Sequence, residues 1–184
     1  HNFYLGASLG FNDLYYEESS ALREKDDDNT INYLNEFTFS SLLRTYGTGF
    51  SFKLVAIYKP INEIRLGVSL ATPTFYSLND KFETAMESSI TYADNSSERY
   101  DATSPLMEYD YELVTPLKAT LSGAFVIGKK GLLSADYEYQ DYSLAKLRNG
   151  GDGYDFIDQN NDISEIYKPA STIRLGGEFR LTEA

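Results

Sequence analysis

The chain has 184 residues, with 28 acidic and 16 basic side chains and a formal net charge of −12. This length suits one ordinary domain or a piece of a larger one, and the acidic balance excludes the broad basic face that nucleic-acid binding needs. The chain has no cysteine and one histidine, His1, which excludes a disulfide scaffold, a Cys-ligated metal and an internal Ser-His-Asp triad. We predict no enzyme activity, no catalytic residue, no metal ligand and no cofactor.

Six segments alternate apolar and polar residues with a period of two, which predicts β-strands with one apolar face. The first of them places Phe3, Leu5 and Leu9 on one side, and none of the six carries a charge on its apolar side. Most are about ten residues long, closer to a tilted membrane-spanning strand than to an average soluble strand. A half-buried sheet of a soluble protein remains the alternative. The six segments are 2–11, 50–58, 64–71, 117–127, 133–139 and 173–181.

The connections between these strands alternate between short and long. Tight turns are predicted at 60–63 and 128–131, and long loops at about 17–46, 79–108 and 147–168. Outer-membrane barrels alternate short periplasmic turns with long extracellular loops in this way. The long loops hold 19 of the 28 acidic and 7 of the 16 basic residues, so the strands and turns are predicted to be neutral overall.

Two of the long loops contain features of their own. The first has an apolar side around Phe37 and Phe39, which predicts ordered structure, either a short helix or an extension of the strands. In the third, 158–162 is faintly similar to the start of a calcium loop. Ile163 and Pro169 stand where an EF-hand requires Gly and Glu, so a solvated loop is the better interpretation.

Several stretches, taken in order, resemble the FadL/TodX-type family of outer-membrane transporters for long-chain fatty acids and other hydrophobic compounds. The branch they are most similar to is the Bacteroidetes one, whose members are often labelled hemin receptors. The resemblance covers nearly the whole chain and rests on the ordered set more than on any one motif. The stretches are 47–54, 57–60, 64–67, 72–76, 115–120 and 128–139.

The resemblance implies a fourteen-stranded antiparallel barrel with an N-terminal hatch in its lumen. Residues 1–184 would then form one partial barrel of about six up-and-down strands, with short turns at one end and long loops at the other. The hatch motif and the last strands of the family have no counterpart here, so no binding residue is carried over. Six strands are fewer than the smallest single-chain barrel has, and we expect the isolated chain to self-associate.

The leading functional hypothesis is a segment of an outer-membrane channel of a Gram-negative bacterium for passive uptake of hydrophobic small molecules. Membrane lipid and lipopolysaccharide are the other expected partners. The alternatives are a haem- or hemin-binding receptor, which would need a tyrosine ligand, and a soluble β-sandwich binding module. Packing between the loops is an alternative role for the apolar side chains expected to capture ligand. These are Leu34, Phe37, Phe39, Leu42, Phe82 and Met86.

The polar side of the predicted strands carries charges of both signs. Asp136 and Glu138 would lie about 7 Å apart on this side, and paired carboxylates can perform acid–base chemistry. Basic side chains share the same side, so a structural ion-pair network is the better interpretation. They are Lys53, Arg65, Lys118, Arg174 and Arg180.

Overall fold

The computed structural model describes residues 2–28, 30–128 and 130–180. The fold is all-β, with ten strands and one α-helix in the described residues. Every strand pair whose register the structure gives is antiparallel. The strands are β1 (Phe3–Lys25), β2 (Leu34–Tyr58), β3 (Ile64–Ala71), β4 (Phe75–Thr91), β5 (Ser97–Thr103), β6 (Met107–Val114), β7 (Lys118–Ile127), β8 (Gly131–Asp141), β9 (Lys146–Arg148) and β10 (Pro169–Phe179). The helix α1 spans Ile157–Ile166, and a short 3-10 turn covers Tyr142–Leu144.

All six strands predicted from the sequence are present. They correspond to β1, the second half of β2, β3, β7, β8 and β10, except that residue 181 lies outside the described residues. Each pairs with the next of the six along the chain, in the order β1, β2, β3, β7, β8, β10. The antiparallel up-and-down arrangement is therefore confirmed for these strands. The sheet is not closed, because the described parts of β1 and β10 pair with one neighbour each.

The register aligns the apolar residues of neighbouring strands in rows. One row runs through Ala56, Val68, Leu121, Tyr137 and Ile173, each opposite the next. Side chains directly opposite each other in antiparallel strands are close enough to pack. The alternation read along single strands therefore becomes one apolar face across the sheet.

The neighbouring row belongs to the other face of the same sheet. It runs through Val55, Ser69, Thr120, Glu138 and Thr172. A shift of one residue in any pairing would mix the two rows, so the alternation also specifies the register.

The prediction of six strands is too low, and two of the predicted long loops are mostly strand. In 17–46, β1 continues to Lys25 and β2 begins at Leu34; in 79–108, β4 continues to Thr91 before β5 and β6. These strands were not predicted from the sequence, because charges and small polar residues interrupt the period of two. They are held by pairing with a neighbouring strand and bury few side chains.

The third predicted loop, 147–168, contains the end of β9 and the helix α1. The stretch 158–162 that faintly resembled a calcium loop lies within this helix. Phe156, at the helix N-cap, has a left-handed backbone with φ of 56° and packs its buried ring against Tyr111 and Tyr154. The helix has ten residues, and no described helix is long and apolar enough to cross a bilayer.

The chain divides into two compact units. Unit 1 comprises residues 1–12, 48–77 and 111–184; it contains β3, β7, β8, β9, β10 and α1 with the adjoining parts of β1, β2, β4 and β6. Unit 2 comprises residues 13–47 and 78–110 and contains the remaining parts of those four strands together with β5. Of the 28 acidic and 16 basic residues, unit 2 holds 16 acidic and 5 basic ones, a net charge of −11.

Two Thr-Pro pairs interrupt strands of unit 1, and threonine hydroxyls bridge the gaps. Pro73 separates β3 from β4 and Pro116 separates β6 from β7, since proline has no N–H for the ladder. The Phe52 N–H donates to Thr72 Oγ1 at 3.0 Å, and the Thr74 N–H donates to Thr115 Oγ1 at 2.8 Å. Side-chain oxygens thus accept from backbone groups where the regular ladder is broken.

Gly49 lies in β2 under the ring of Tyr76. This contact predicts that alanine destabilises the protein more at Gly49 than at Gly123. A Cβ added at Gly49 would lie 2.4 Å from the Tyr76 ring, whereas a Cβ at Gly123 would meet nothing within 4 Å. We expect Gly49→Ala to lower the free energy of unfolding by about 1–3 kcal/mol, because the ring must move. Gly123→Ala should stay within about 0.5 kcal/mol of the wild type. Urea unfolding followed by circular dichroism measures both.

The double variant Gly49→Ala with Tyr76→Ser checks the cause of this loss. Compared with Tyr76→Ser alone, the alanine should then cost little, because the clashing ring is gone. An equal loss with and without Tyr76 would assign the effect of Gly49→Ala to the β2 backbone instead.

Candidate functional site

The polar face of the unit 1 sheet is more sheltered than its apolar face. On β8, Leu133, Tyr137 and Tyr139 are exposed, whereas Asp136 and Glu138 on the other side are half-buried. The same holds on β7, where Leu121 is 59% exposed and its neighbours Thr120 and Ser122 are half-buried. This is the reverse of a soluble sheet, which covers its apolar side.

The sheltered face contains a groove of about 450 Å³ that is lined mainly by polar residues. Tyr76, beside the Pro73 break, forms part of its wall. Hydroxyl groups predominate, since six serine and threonine residues contribute to it. The lining residues are Asn12, Ser51, Lys53, Ser69, Ala71, Thr72, Thr74, Tyr76, Thr115, Pro116, Lys118, Thr120, Glu138 and Gln140.

An ion-pair network holds one side of this groove. The Glu138 carboxylate lies 3.4 Å from the Lys118 amine and 3.1 Å from the Arg174 guanidinium. Glu138 is thus joined to both neighbouring strands, as the structural interpretation of these charges predicted. Lys53, on the other side, makes no ion pair within the described residues, so the groove keeps one free amine.

Arg65 and Arg180, also predicted to belong to the network, lie elsewhere on unit 1. They line a separate groove of about 250 Å³ together with Glu178. Asp136 makes no ion pair within 4 Å of the described basic groups. The predicted network is therefore confirmed only for Lys118, Glu138 and Arg174.

Two of the six predicted capture residues line a groove within unit 2. This groove, of about 270 Å³, lies between β2, β4 and β5, and Phe37 and Met86 are in its wall. Its other residues are Glu36, Thr38, Ala85, Glu87, Ser88, Ser89, Arg99, Tyr100, Asp101, Ala102 and Thr103. The remaining four candidates are not among them: Leu34, Phe39 and Leu42 lie in β2 and Phe82 in β4. Contact of the six with a ligand stays a prediction.

Sequence reasoning did not single out two further features of unit 1. One is the pair Thr72 and Thr115 beside the polar groove, each of which precedes a proline. The other is a hollow of about 550 Å³ with an apolar lining, where Gly6 and two alanines lie among larger side chains. In the sequence, the signal that could have predicted this hollow was the presence of small residues among Leu and Val. The hollow is lined by Leu5, Gly6, Ala7, Leu54, Val55, Ala56, Val68 and Leu70.

Comparison of the chain with family models, with curated proteins and with solved structures finds no match. Across residues 2–28, 30–128 and 130–180, no three His, Cys, Asp or Glu side chains come together as metal ligands.

The Glu138 network predicts that removal of the charge of Glu138 destabilises the protein more than removal of the charge of Glu108. The Glu138 side chain is 16% exposed between two cations, whereas Glu108 is 52% exposed and pairs only with Lys81. We expect Glu138→Gln to lower the free energy of unfolding by about 1 kcal/mol, since its partners are part-exposed. The control Glu108→Gln should cost less than about 0.5 kcal/mol. Equal urea midpoints for the two variants would contradict a structural role for Glu138.

Proposed function

We propose that this chain forms part of the wall of an outer-membrane β-barrel channel for passive uptake of long-chain fatty acids or other hydrophobic small molecules. The resemblance of its sequence to the FadL/TodX-type family supports this proposal. In this role the apolar face of unit 1 contacts membrane lipid and the polar face lines the lumen. No bond is made or broken.

The observation that carries the proposal is the reversed exposure of the two faces. Residues on transmembrane barrel strands alternate between a lipid-facing apolar side and a polar interior. On the central strands β7 and β8, Leu121 and Leu133 are 59% and 54% exposed, whereas Ser122 and Asp136 on the other side are half-buried. Burial of such side chains in lipid removes the free-energy penalty of their contact with water.

The extent of the apolar band fits a bilayer. On β1 the apolar side runs from Phe3 to Phe11, roughly 27 Å of strand, which covers about 20 Å of bilayer at a tilt of 40°. Phe11 contacts Phe50 on β2, with ring centroids 6.0 Å apart. Aromatic rings at the limit of an apolar band are typical of the membrane interface.

The amount of exposed surface also argues against a self-contained soluble domain such as a β-sandwich. The accessible surface is 13449 Å², whereas a folded monomer of this mass exposes about 9,000 Å². Among the described residues, Leu78 and Phe156 are the only large apolar side chains that are buried. This large uncovered surface supports the expectation that the isolated chain self-associates in water.

Charge insertion on the two faces tests the proposed wall. Leu121 and Ser122 are neighbours on β7 with opposite orientations, so Leu121→Arg and Ser122→Arg form a matched pair. An arginine on the lipid face near the membrane midplane costs about 2–4 kcal/mol, whereas the lumen side accommodates charge. We expect Leu121→Arg to reduce the fraction folded in lipid vesicles and Ser122→Arg to leave it near wild type. Heat-modifiable mobility on gels measures this fraction.

The same pair separates the barrel from a soluble protein. At an exposed position of a soluble protein, Leu121→Arg would change stability by no more than about 0.5 kcal/mol. Equal folding of both variants, in vesicles and without lipid, would reject the barrel wall.

Uptake measurements test the proposed ligand capture in unit 2. We expect Phe37→Ser combined with Phe39→Ser to reduce long-chain fatty-acid uptake several-fold in cells that carry the complete protein in the outer membrane. The reason is that the loss of two aromatic rings removes apolar contact area. Leu22→Ser is the control, since Leu22 is exposed on β1 and is not one of the predicted capture residues. Unchanged uptake at unchanged surface levels would exclude Phe37 and Phe39 from the ligand path.

A further inference from the structure

Three exposed tyrosines form a cluster on unit 2, here called the tyrosine cluster: Tyr33, Tyr92 and Tyr100, together with Glu98. Tyr33 comes from the turn between β1 and β2, Tyr92 from the turn between β4 and β5, and Tyr100 from β5. Residues from two separate turns and a strand thus meet at one place. Tyr100 also lines the unit 2 groove with Phe37 and Met86, whereas Tyr33, Tyr92 and Glu98 do not.

The rings and hydroxyls of the cluster are joined to one another. The ring centroids of Tyr33 and Tyr92 are 6.1 Å apart at an interplanar angle of 39°. The Tyr92 and Tyr100 hydroxyls are hydrogen-bonded at 2.9 Å, and the Tyr100 hydroxyl donates to the Glu98 carboxylate. This carboxylate raises the pKa of Tyr100 above its ordinary value. The phenol therefore remains a neutral donor at physiological pH.

The backbone holds Tyr33 in a strained position. Its φ is 71°, a left-handed conformation that is unfavourable for a bulky side chain. The Tyr33 carbonyl accepts the Thr91 N–H at 2.8 Å, and the Asn35 amide donates to Thr91 Oγ1 at 2.7 Å. These bonds fix the first turn against the second, and strain of this kind is concentrated at functional sites.

The composition around the cluster indicates what it could bind. The described turn residues 30–33 and 92–96 consist mainly of Asn, Thr, Ser and Tyr. Rigid aromatic rings combined with short, adaptable hydrogen-bonding side chains are typical of recognition surfaces. The Tyr33 and Tyr92 rings are exposed and tilted by 39°, so a ligand can reach a ring face without the enclosing aromatic cage that recognises ammonium ions. The net charge of −11 on unit 2 repels anionic ligands.

We propose that the tyrosine cluster is a binding site for a neutral glycan. The Tyr33 and Tyr92 rings stack on the C–H face of a sugar, while Glu98 and the Asn and Ser side chains of the turns hydrogen-bond its hydroxyls. This proposal does not rest on the channel proposal, because the two stacking rings, Tyr33 and Tyr92, do not line the unit 2 groove.

A glycan array tests the proposal on the full chain folded in detergent. The array carries neutral, sulfated and sialylated glycans, with poly-lysine spots as a cationic probe. We expect signal on neutral glycans, reduced at least tenfold in Tyr92→Ala and in Tyr100→Ala. Tyr100→Phe keeps the ring and loses the bond to Glu98, so its loss should be smaller than that of Tyr100→Ala.

Tyr16→Ala is the matched control. The Tyr16 hydroxyl donates to Glu18 two residues away at 2.6 Å, just as Tyr100 donates to Glu98. Tyr16 makes none of the described ring contacts, and its replacement should leave glycan binding unchanged. Circular dichroism of each variant verifies that it folds. The proposal would be overturned if Tyr16→Ala lowered the neutral-glycan signal as much as Tyr92→Ala does. It would also be overturned if the wild type bound poly-lysine or sulfated glycans more strongly than neutral glycans.

Discussion

The period of two, carried in register from strand to strand, is the constraint on which the rest of unit 1 depends. Because Val68 is opposite Leu121 and Leu121 opposite Tyr137, apolar side chains accumulate on one face. The other face is the sheltered one and holds the polar groove and the Glu138 network. A sheet with this arrangement lacks an interior of its own on its apolar side. Its apolar face needs contact with lipid or with another surface.

Hydrogen bonds and ion pairs hold this chain together where other proteins rely on a core. Few large side chains are buried, and adjacent strands are joined by long backbone ladders. Where Pro73 and Pro116 interrupt these ladders, threonine hydroxyls accept neighbouring N–H groups. Unpaired backbone groups are costly away from water, so these threonine hydroxyls stabilise the sheet where proline breaks its ladder.

The two units differ in net charge, and the two faces of the unit 1 sheet differ in hydropathy. Unit 2 carries a net charge of −11, whereas unit 1 has 12 acidic and 11 basic residues. Within unit 2, aspartates stabilise the turns: Asp26 accepts the N–H groups of Thr30 and Ile31. These bonds lower the pKa of Asp26. Their contribution to stability is therefore present above the ordinary pKa of an aspartate and is lost as the pH falls below it.

The sequence by itself determined the six long strands of unit 1, their apolar sides and their order, because alternation is a local property that the register preserves. It also located the excess of acidic residues and predicted the tight turn at 60–63. Only the tertiary structure decided that 17–46 and 79–108 are largely strand, since β4 and β5 are held by neighbouring strands and lack a period of their own. It also decided that Phe37 and Met86 share a groove while Leu42 does not line it. The meeting of Tyr33 with Tyr92 depends likewise on a strained φ and on bonds between two turns, and neither is encoded in local composition.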